Sequence, residues 1–422
     1  MPIALIDSNN FYAACEQSID PSIVSRPLVV LSNNDGCIIA RNAEAKCLGI
    51  SMGQPYFKVS NELKKHEVEV RSSNYALYAD MSQRLMSILK DNCKEIEVYS
   101  IDEAFARVIH TSYCDLDSWA SQLRETIYQS LGLATSIGIG ASRVQAKLAN
   151  YLAKTTATHA GIFNMESVIN KDKWLEKVPI EKVWGIGRNL SHWFQVQGIQ
   201  NARQLRDMPS HILIKKMGVT GIHLQRGLEG ERELNLSIKS IPKKETCASK
   251  SFASPVTQIE ELRQAIATHI ITASEKLRRQ RQYASKITIY TRTSLYTPIF
   301  YSQSATIHLS LPSNNSKTLL STALDLTEQI FHPNYLLMKA GVIMQNLISE
   351  EYLQLNLFSA NTPKELSKQE RLMEKIDYLN ARYGRNSIQW AACGINQNHS
   401  NSQKYLSALK TTRIKEIPIV YA

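Results

Sequence analysis

The sequence predicts an α+β chain of several domains, and three observations carry that reading. Over roughly the first 140 residues, strand-length apolar runs alternate with helix-length amphipathic ones. From Pro179 the texture turns to short helices broken by glycines, and from about Thr246 a second alternation of strands and helices begins. At 422 residues the chain is long for one core, and a length prior gives about three domains.

Taken in order, residues 3–7 form a short apolar strand and residues 11–16 open a helix. Residues 73–89 read as a second helix, because Leu77, Met81, Leu85 and Ile88 recur at helical spacing and make one apolar stripe. Residues 95–100 and 104–109 read as strands, with a sharp break at Ile101, Asp102 and Glu103. A helix over 116–130 and a strand over 134–139 follow. Without residues 19–72 this order is β-α-β-β-α-β, the ferredoxin-like or split βαβ unit. The excursion carries its own strands at 27–31 and 37–40 and a helix at 42–48, so it reads as a small subdomain inserted into the first crossover. Short helices with glycine turns run from 179 to about 231, and residues 234–242 read as an extended linker. The second α+β unit has strands near 246–252, 286–291, 305–309 and 340–345, with helices near 259–279 and 316–331. Residues 349–422 show weak periodicity and many Asn, Gln and Ser. Neither an internal repeat nor a low-complexity tract is visible.

Composition narrows the function classes. Hydrophobic residues make up 43% of the chain, yet no apolar run approaches the length of a membrane helix. The opening apolar stretch ends at Asp7 and is too short and too acidic for a signal peptide, which makes the cytoplasm the expected compartment. The seven cysteines (Cys15, Cys37, Cys47, Cys93, Cys114, Cys247 and Cys393) are scattered without a Cys-x-x-Cys pair. They read as small buried thiols rather than a zinc site or a disulfide framework. Forty-nine Lys and Arg against 38 Asp and Glu give a net charge of +11, a field that favours polyanions. Seven lysines and five arginines against six acidic residues lie between positions 243 and 348, so over half of the excess sits in a quarter of the chain.

The topology gives the carboxylates a meaning. In a right-handed βαβ unit the first two strands run parallel, and the third returns between them through a hairpin. The end of the first strand and the start of the third then share one edge of the sheet, which brings Asp7 to Asp102 and Glu103. Hard oxygen donors of this kind, few in number, suit magnesium held jointly with substrate phosphates. Two such ions, about 3.5–4 Å apart, would activate an attacking hydroxyl and steady the leaving oxygen. Taken singly, Asp7 also reads as a helix cap and Asp102 with Glu103 as a polar hairpin tip.

The residues around the carboxylates carry a family likeness. Asp7, Phe11, Tyr12, Ala13 and Glu16, followed by Ser100-Ile101-Asp102-Glu103-Ala104-Phe105, resemble the Y-family DNA polymerases. Leu31-Ser32-Asn33-Asn34-Asp35-Gly36-Cys37, continued by Ala40-Arg41-Asn42-Ala43-Glu44-Ala45-Lys46, is similar to the UmuC branch, the catalytic subunit of bacterial DNA polymerase V. The resemblance runs over essentially the whole chain. It implies an error-prone translesion DNA polymerase of the SOS response to DNA damage. It also implies a palm over residues 1–18 and 73–165, fingers over 19–72, a thumb over 166–235, a little finger over 243–348 and a tail over 349–422.

By the same likeness Asp7, Asp102 and Glu103 bind two magnesium ions, with the Ser8 carbonyl adding a ligand. Tyr12 becomes the steric gate, a ring that collides with a ribose 2′-hydroxyl and so rejects by clash. Lys46 and Lys154 become holders of the nucleotide triphosphate. Many members of the family carry Tyr where Ala43 stands, and Arg41 is the candidate that compensates.

Val183-Trp184-Gly185-Ile186-Gly187-Arg188-Asn189 resembles a helix-hairpin-helix. Glycines at 185 and 187 let a DNA phosphate approach the amides of the next helix, contacts that position without reading sequence. Gly218-Val219-Thr220-Gly221 is a weaker second candidate. Lys250, Lys276, Arg278, Arg279, Arg281, Lys286 and Arg292 are the expected backbone contacts of the little finger. The stretch of Arg278, Arg279 and Arg281 also fits a solvated helix end favoured by the dipole. Gln354, Leu355, Leu357 and Phe358 resemble the short peptide with which bacterial polymerases dock on the sliding clamp. A cleaved UmuD-type dimer and a recombinase filament are further partners that the likeness implies. A nucleotidyl cyclase, which shares a similar palm and paired metals, is the other enzymatic reading, and a DNA-binding scaffold without catalysis is the non-enzymatic one. The hairpin and the basic second unit weigh against the cyclase, and the three carboxylates weigh against the scaffold.

Overall fold

Ile3, Ala4, Leu5 and Ile6 are all buried, so β1 (Ile3–Ser8) is covered on both faces and forms the middle strand of a five-stranded sheet. The computed structural model describes residues 1–108, 113–156, 161–232, 242–353, 363–384, 386–394 and 403–407. The chain divides into two compact units, Met1–Ser240 with Gln403–Ala422, and Ile241–Ser402.

In the first unit, α1 (Phe11–Ile19) leaves β1 and buries Phe11, Ala13, Cys15 and Glu16. The inserted subdomain follows as β2 (Leu28–Leu31), β3 (Ile38–Arg41), α2 (Ala43–Cys47), α3 (Tyr56–Lys65) and β4 (Glu69–Ser72), with sheet order β3-β2-β4. Its core is Val29, Leu31, Ile38, Ala45, Val59 and Leu63. The sequence reading placed β2, β3 and α2 but not α3 or β4. In β4 Glu69 and Arg71 form ion pairs, so the strand lacks an apolar signature.

The Asn74 side chain accepts from the Leu77 amide and starts α4 (Tyr75–Asn92), whose stripe of Leu77, Met81, Leu85 and Leu89 packs on the sheet. β5 (Glu95–Val98), β6 (Glu103–Arg107), α5 (Tyr113–Leu131), β7 (Thr135–Gly140), α6 (Arg143–Thr155) and β8 (Ile162–Asn164) complete it, in the order β5-β6-β1-β7-β8. β6 lies antiparallel between β5 and β1, the expected split βαβ arrangement. β8, three residues long, adds an edge that the sequence reading did not anticipate. A Cβ at Gly138 would stand 2.0 Å from the Asn150 amide nitrogen, so only glycine lets α6 lie this close to β7. That close approach carries the lysines of α6 to the end of the sheet.

The helical section comprises α7 (Lys171–Glu176), α8 (Arg188–Val196), α9 (Ala202–Arg206), α10 (Ser210–Met217) and α11 (Val219–Glu229). Their shared core of Leu175, Val183, Phe194, Leu205, Leu213 and Leu224 runs on into Val144, Leu148 and Leu152 of α6.

The second unit consists of β9 (Thr246–Val256), α12 (Ile259–Arg279), β10 (Gln282–Thr293), β11 (Ser302–Ser313), α13 (Ser316–Ile330) and β12 (Leu337–Ser349). All neighbours in its sheet, β11-β10-β12-β9, pair antiparallel. Leu262, Ile266, Ile270 and Leu277 of α12, with Leu319, Ala323 and Ile330 of α13, cover one face. The other face carries the alternate residues and has no helix over it among those packed in this core. A helix not expected from the sequence, α14 (Pro363–Tyr383), docks on this unit through polar contacts. Asp377 takes two bonds from Arg278, at 2.6 and 2.8 Å, and Glu370 accepts from the Tyr283 hydroxyl at 3.1 Å. The clamp-peptide residues 354–358 and most of the expected linker over 234–242 lie outside the described residues.

Candidate active site

The sheet register brings the carboxylates together. Asp7 on β1 stands directly opposite Glu103 on β6, and the next amide, Ser8 N–H, donates to the Asp102 carbonyl at 2.9 Å. The Ser100 hydroxyl fixes the hairpin: it donates to Asp102 Oδ1 at 2.5 Å and accepts from the Asp102 and Glu103 amides at 3.3 and 3.1 Å. Side chains 7 and 103 leave the sheet on the same face because cross-strand partners share one side of the pleat.

Two lysines of α6, seven residues apart and so on the same helix face, answer these charges. Lys154 Nζ lies 2.6 Å from Asp7 Oδ1, and Lys147 Nζ lies 3.1 Å from Glu103 Oε1. Lys147 also sits 4.1 Å above the Tyr99 ring and 5.4 Å from the Trp184 ring, while Trp184 Nε1 donates to the Tyr99 hydroxyl at 3.1 Å. The sequence reading singled out Lys154 but missed Lys147. The seven-residue spacing on one helix was the signal that could have found it.

Burial pushes the Asp7 carboxyl above its ordinary range; Lys154 opposes that shift and Asp102 adds to it. Glu103 is likewise raised by burial, with Lys147 opposing and the two aspartates adding. Carboxylates held in a crowded, partly dry site and neutralised by amines have the chemistry of a hard-cation site. Among the described residues no three His, Cys, Asp or Glu side chains enclose an ion by themselves. An ion here would draw its remaining ligands from substrate phosphate and water, as magnesium commonly does. The donor set therefore fits magnesium shared with a nucleotide.

A cavity of about 390 Å³ opens beside the carboxylates. Asp7, Ser8, Tyr12, Arg41, Lys46, Asp102 and Lys154 line it, together with Asn10, Phe11, Ile39, Ala40, Met52 and Ile101. Seven of the residues singled out in the sequence thus meet around one space. Lys46 donates to Asn10 Oδ1 at 2.5 Å, with Asn10 in the left-handed region (φ 52°) ahead of α1. Burial lowers the Lys46 pKa, and the nearby charges of Arg41 and Lys154 lower it further. Arg41 also donates to the Ile50 carbonyl. Cations on one wall and carboxylates on the other make a field suited to a polyphosphate carrying divalent metal. The Tyr12 ring stacks on Tyr78 with centroids 4.4 Å apart, which fixes its plane at the cavity edge.

The expected DNA contacts fare unevenly. Gly185 (φ 86°) precedes α8 with Gly187 as its cap, and no atom lies within 4 Å of a Cβ built at either glycine. The backbone there is open to an approaching phosphate. On the second unit Arg278 is only 12% exposed and is committed to Asp377. Arg279 pairs with Glu275 at 2.6 Å on the surface. Arg281 is exposed, with φ 50°, at the turn into β10. Lys250 falls in phase with the buried Ala248 and Phe252, and burial lowers its pKa. Lys286 and Arg292 alternate with the buried Ile287, Ile289 and Thr291, so they lie on the sheet face away from the helices. Lys339, directly opposite Arg292 on β12, shares that face and was not picked out from the sequence.

Residues 6–151 match the family model described as impB/mucB/samB family, and residues 243–357 match its C-terminal domain. Residues 370–420 match a domain of unknown function. Protein UmuC of Salmonella typhimurium is 37% identical, over 98% of this chain and 99% of its own length. Protein MucB of Escherichia coli is 35% identical over 99% of both. DNA polymerase IV 1 of Bacillus subtilis is 26% identical over 92% of both. Among solved structures, a Y-family DNA polymerase chimera of Dbh and Dpo4 superposes with a TM-score of 0.66 at 19% identity, covering 83% of this chain and all of that one. The insertion ternary complex of Dbh DNA polymerase gives 0.54 with the same coverage.

Proposed function

The chain belongs to the impB/mucB/samB family, the UmuC branch of the Y-family DNA polymerases, and on that premise we propose that it extends primers at the cavity lined by Asp7 and Asp102, beside Glu103. It is an error-prone translesion DNA polymerase of the SOS response. The observation that supports placing the chemistry is the meeting of opposed carboxylates and cations around one cavity.

When bound, two magnesium ions would supply the charge that activates the primer 3′-hydroxyl and steadies the pyrophosphate. Asp7, Asp102, Glu103 and the Ser8 carbonyl would hold them. Lys46, Lys154 and Arg41 orient the triphosphate and offset its charge. Ala43 stands at the first position of α2, and Arg41 on the preceding strand reaches the cavity. Tyr12 bounds the sugar and excludes a 2′-hydroxyl.

On this reading the first sheet is the palm, the inserted subdomain the fingers, α7–α11 the thumb and β9–β12 with α12 and α13 the little finger. Gly185 and Gly187 seat a phosphate, and Lys286, Arg292 and Lys339 follow the duplex backbone on the open sheet face. Arg281 and the exposed Arg279 remain candidates beside them, whereas Arg278 and Lys250 serve the fold of their unit. Gln354, Leu355, Leu357 and Phe358 are read as the clamp peptide. A cleaved UmuD-type dimer and a recombinase filament are read as partners. No described helix is long and apolar enough to cross a membrane, and a cytoplasmic location belongs to the proposal.

Primer extension on a template with a single abasic site tests the function. With magnesium and deoxynucleotides the chain, supplied with its proposed partners, adds nucleotide opposite and beyond the gap in the template. Product that forms without any template would move the assignment to a nucleotidyl cyclase. A chain that binds primer-template but adds nothing would be a scaffold.

A further inference from the structure

Residues 403–407, within the match to the domain of unknown function, belong to the first unit and are hydrogen-bonded into it. Ser72 N–H donates to the Tyr405 carbonyl at 2.9 Å, and Tyr405 N–H donates to Ser72 Oγ at 3.0 Å. Lys404 N–H donates to Asp35 Oδ2 at 2.7 Å, and Gln403 Nε2 donates to the Ser73 carbonyl at 2.8 Å. The hydroxyls of Tyr405 and Tyr56 share a hydrogen bond of 2.9 Å. Ser407 Oγ, itself buried, accepts from Asn74 Nδ2 at 2.9 Å. Backbone or side chains of Gln403, Lys404, Tyr405 and Ser407 are thus tied to the 32–36 loop, to α3 and to the junction of β4 with α4. A segment that merely lay on the surface would not bury a serine hydroxyl against an asparagine.

From this contact a chain of packed groups leads to Tyr12, which lines the cavity. Asn74, which holds Ser407 with its amide nitrogen, caps α4 with its amide oxygen. α4 carries Tyr78, whose fully buried ring stacks on Tyr12 at an interplanar angle of 17°. Tyr75, on the same helix, meets the edge of Tyr12 at 88°. The Tyr78 hydroxyl donates to Glu16 Oε1 at 2.8 Å, and Glu16 stands one helical turn beyond Tyr12 on α1, with no exposed surface. Burial pushes the Glu16 carboxyl upward, while the hydroxyls of Tyr78 and Ser407 pull it back. Ser407 thus touches the cap of the helix that carries both rings packed on Tyr12.

We propose that residues 403–407 form an intramolecular clip, and that Ser407 is a positioning residue for sugar selection, acting on Tyr12 through Asn74 and the α4 rings of Tyr75 and Tyr78. The inference rests on the reading of Tyr12 as the gate. A rejection device based on a clash works only if the ring cannot yield, so whatever stiffens its floor sharpens the discrimination.

The test is made in the full-length chain by measuring kcat/KM for a deoxynucleotide and for the matching ribonucleotide. Ser407→Ala is expected to lower the deoxy-over-ribo ratio about fivefold, chiefly by raising the ribonucleotide value. Ser407→Thr keeps the hydroxyl and holds the ratio within about twofold of the parent. Tyr405→Ala, which releases the segment from Tyr56, lowers the ratio as Ser407→Ala does, and the double variant falls no further than the worse single one. Should Ser407→Ala fail to fold, Ser407→Cys, similar in size and a weaker hydrogen-bond partner, carries the same measurement. Variants that lose rate equally with both sugars, or retain the parent ratio while Tyr12→Ala abolishes it, would overturn the clip and leave the gate standing. If Tyr12→Ala itself leaves the ratio unchanged, the gate fails and the inference falls with it.

Discussion

Asp102→Ala is expected to abolish primer extension, lowering kcat/KM by roughly 10³–10⁵-fold, because a metal ligand contributing several kcal/mol of charge stabilisation is lost at 1.36 kcal/mol per decade of rate. Asp102 lines the cavity and lies between the two other carboxylates in charge terms, raising the pKa of both. Its removal takes away a ligand and a negative charge, so affinity for the DNA backbone should hold or rise slightly. Gel-shift binding of primer-template alongside single-nucleotide extension separates the two quantities. Extension within tenfold of the parent enzyme would remove Asp102 from the chemistry. The hairpin itself should survive the change, since the Ser100 hydroxyl still accepts from the amides of residues 102 and 103.

Tyr12→Ala is expected to raise ribonucleotide kcat/KM relative to deoxynucleotide by about two orders of magnitude, the equivalent of ~2.7 kcal/mol. The estimate follows from the geometry of support. Tyr12 is held by a parallel ring beneath and an edge beside it, so it has nowhere to retreat when a 2′-hydroxyl arrives. Deletion of the ring leaves space rather than a new contact, so the gain falls on the ribonucleotide while deoxynucleotide addition persists at reduced affinity. Competition between the two sugars on an undamaged template reads the ratio directly. An unchanged ratio would move sugar selection elsewhere in the cavity.

The parts of the molecule legible in the sequence are those with strong periodicity or a constrained register. Leu77, Met81 and Leu85 announce α4, and the β-α-β-β-α-β order of the first unit brings Asp7 to one sheet edge with Asp102 and Glu103, where the register sets it opposite Glu103. The second unit was equally readable, because long strands alternate Ile287 and Ile289 with polar residues. What escaped notice lacks such a signature. β4 is built from ion-paired Glu69 and Arg71, and α14 makes its polar contacts through Asp377 and Glu370 while burying Met373. Charge alone does not tell Arg278 from its neighbours in sequence, whereas in the structure its guanidinium is turned to Asp377. Lys147 escapes a sequence reading because a lysine on a helix reads as solvated surface until the strand beneath it is known to begin with Glu103. Long-range pairing of the tail with Ser72 and Asn74 leaves no local pattern at all.

The seating of divalent metal at the sheet end is best read by anomalous scattering from manganese in crystals of the chain with primer-template and a non-hydrolysable deoxynucleotide. Two peaks should appear within ligand distance of Asp7 and Asp102, with Glu103 bonded to one of them. Strong peaks elsewhere on the nucleotide, with Asp7 and Glu103 still paired only to Lys154 and Lys147, would contradict the account.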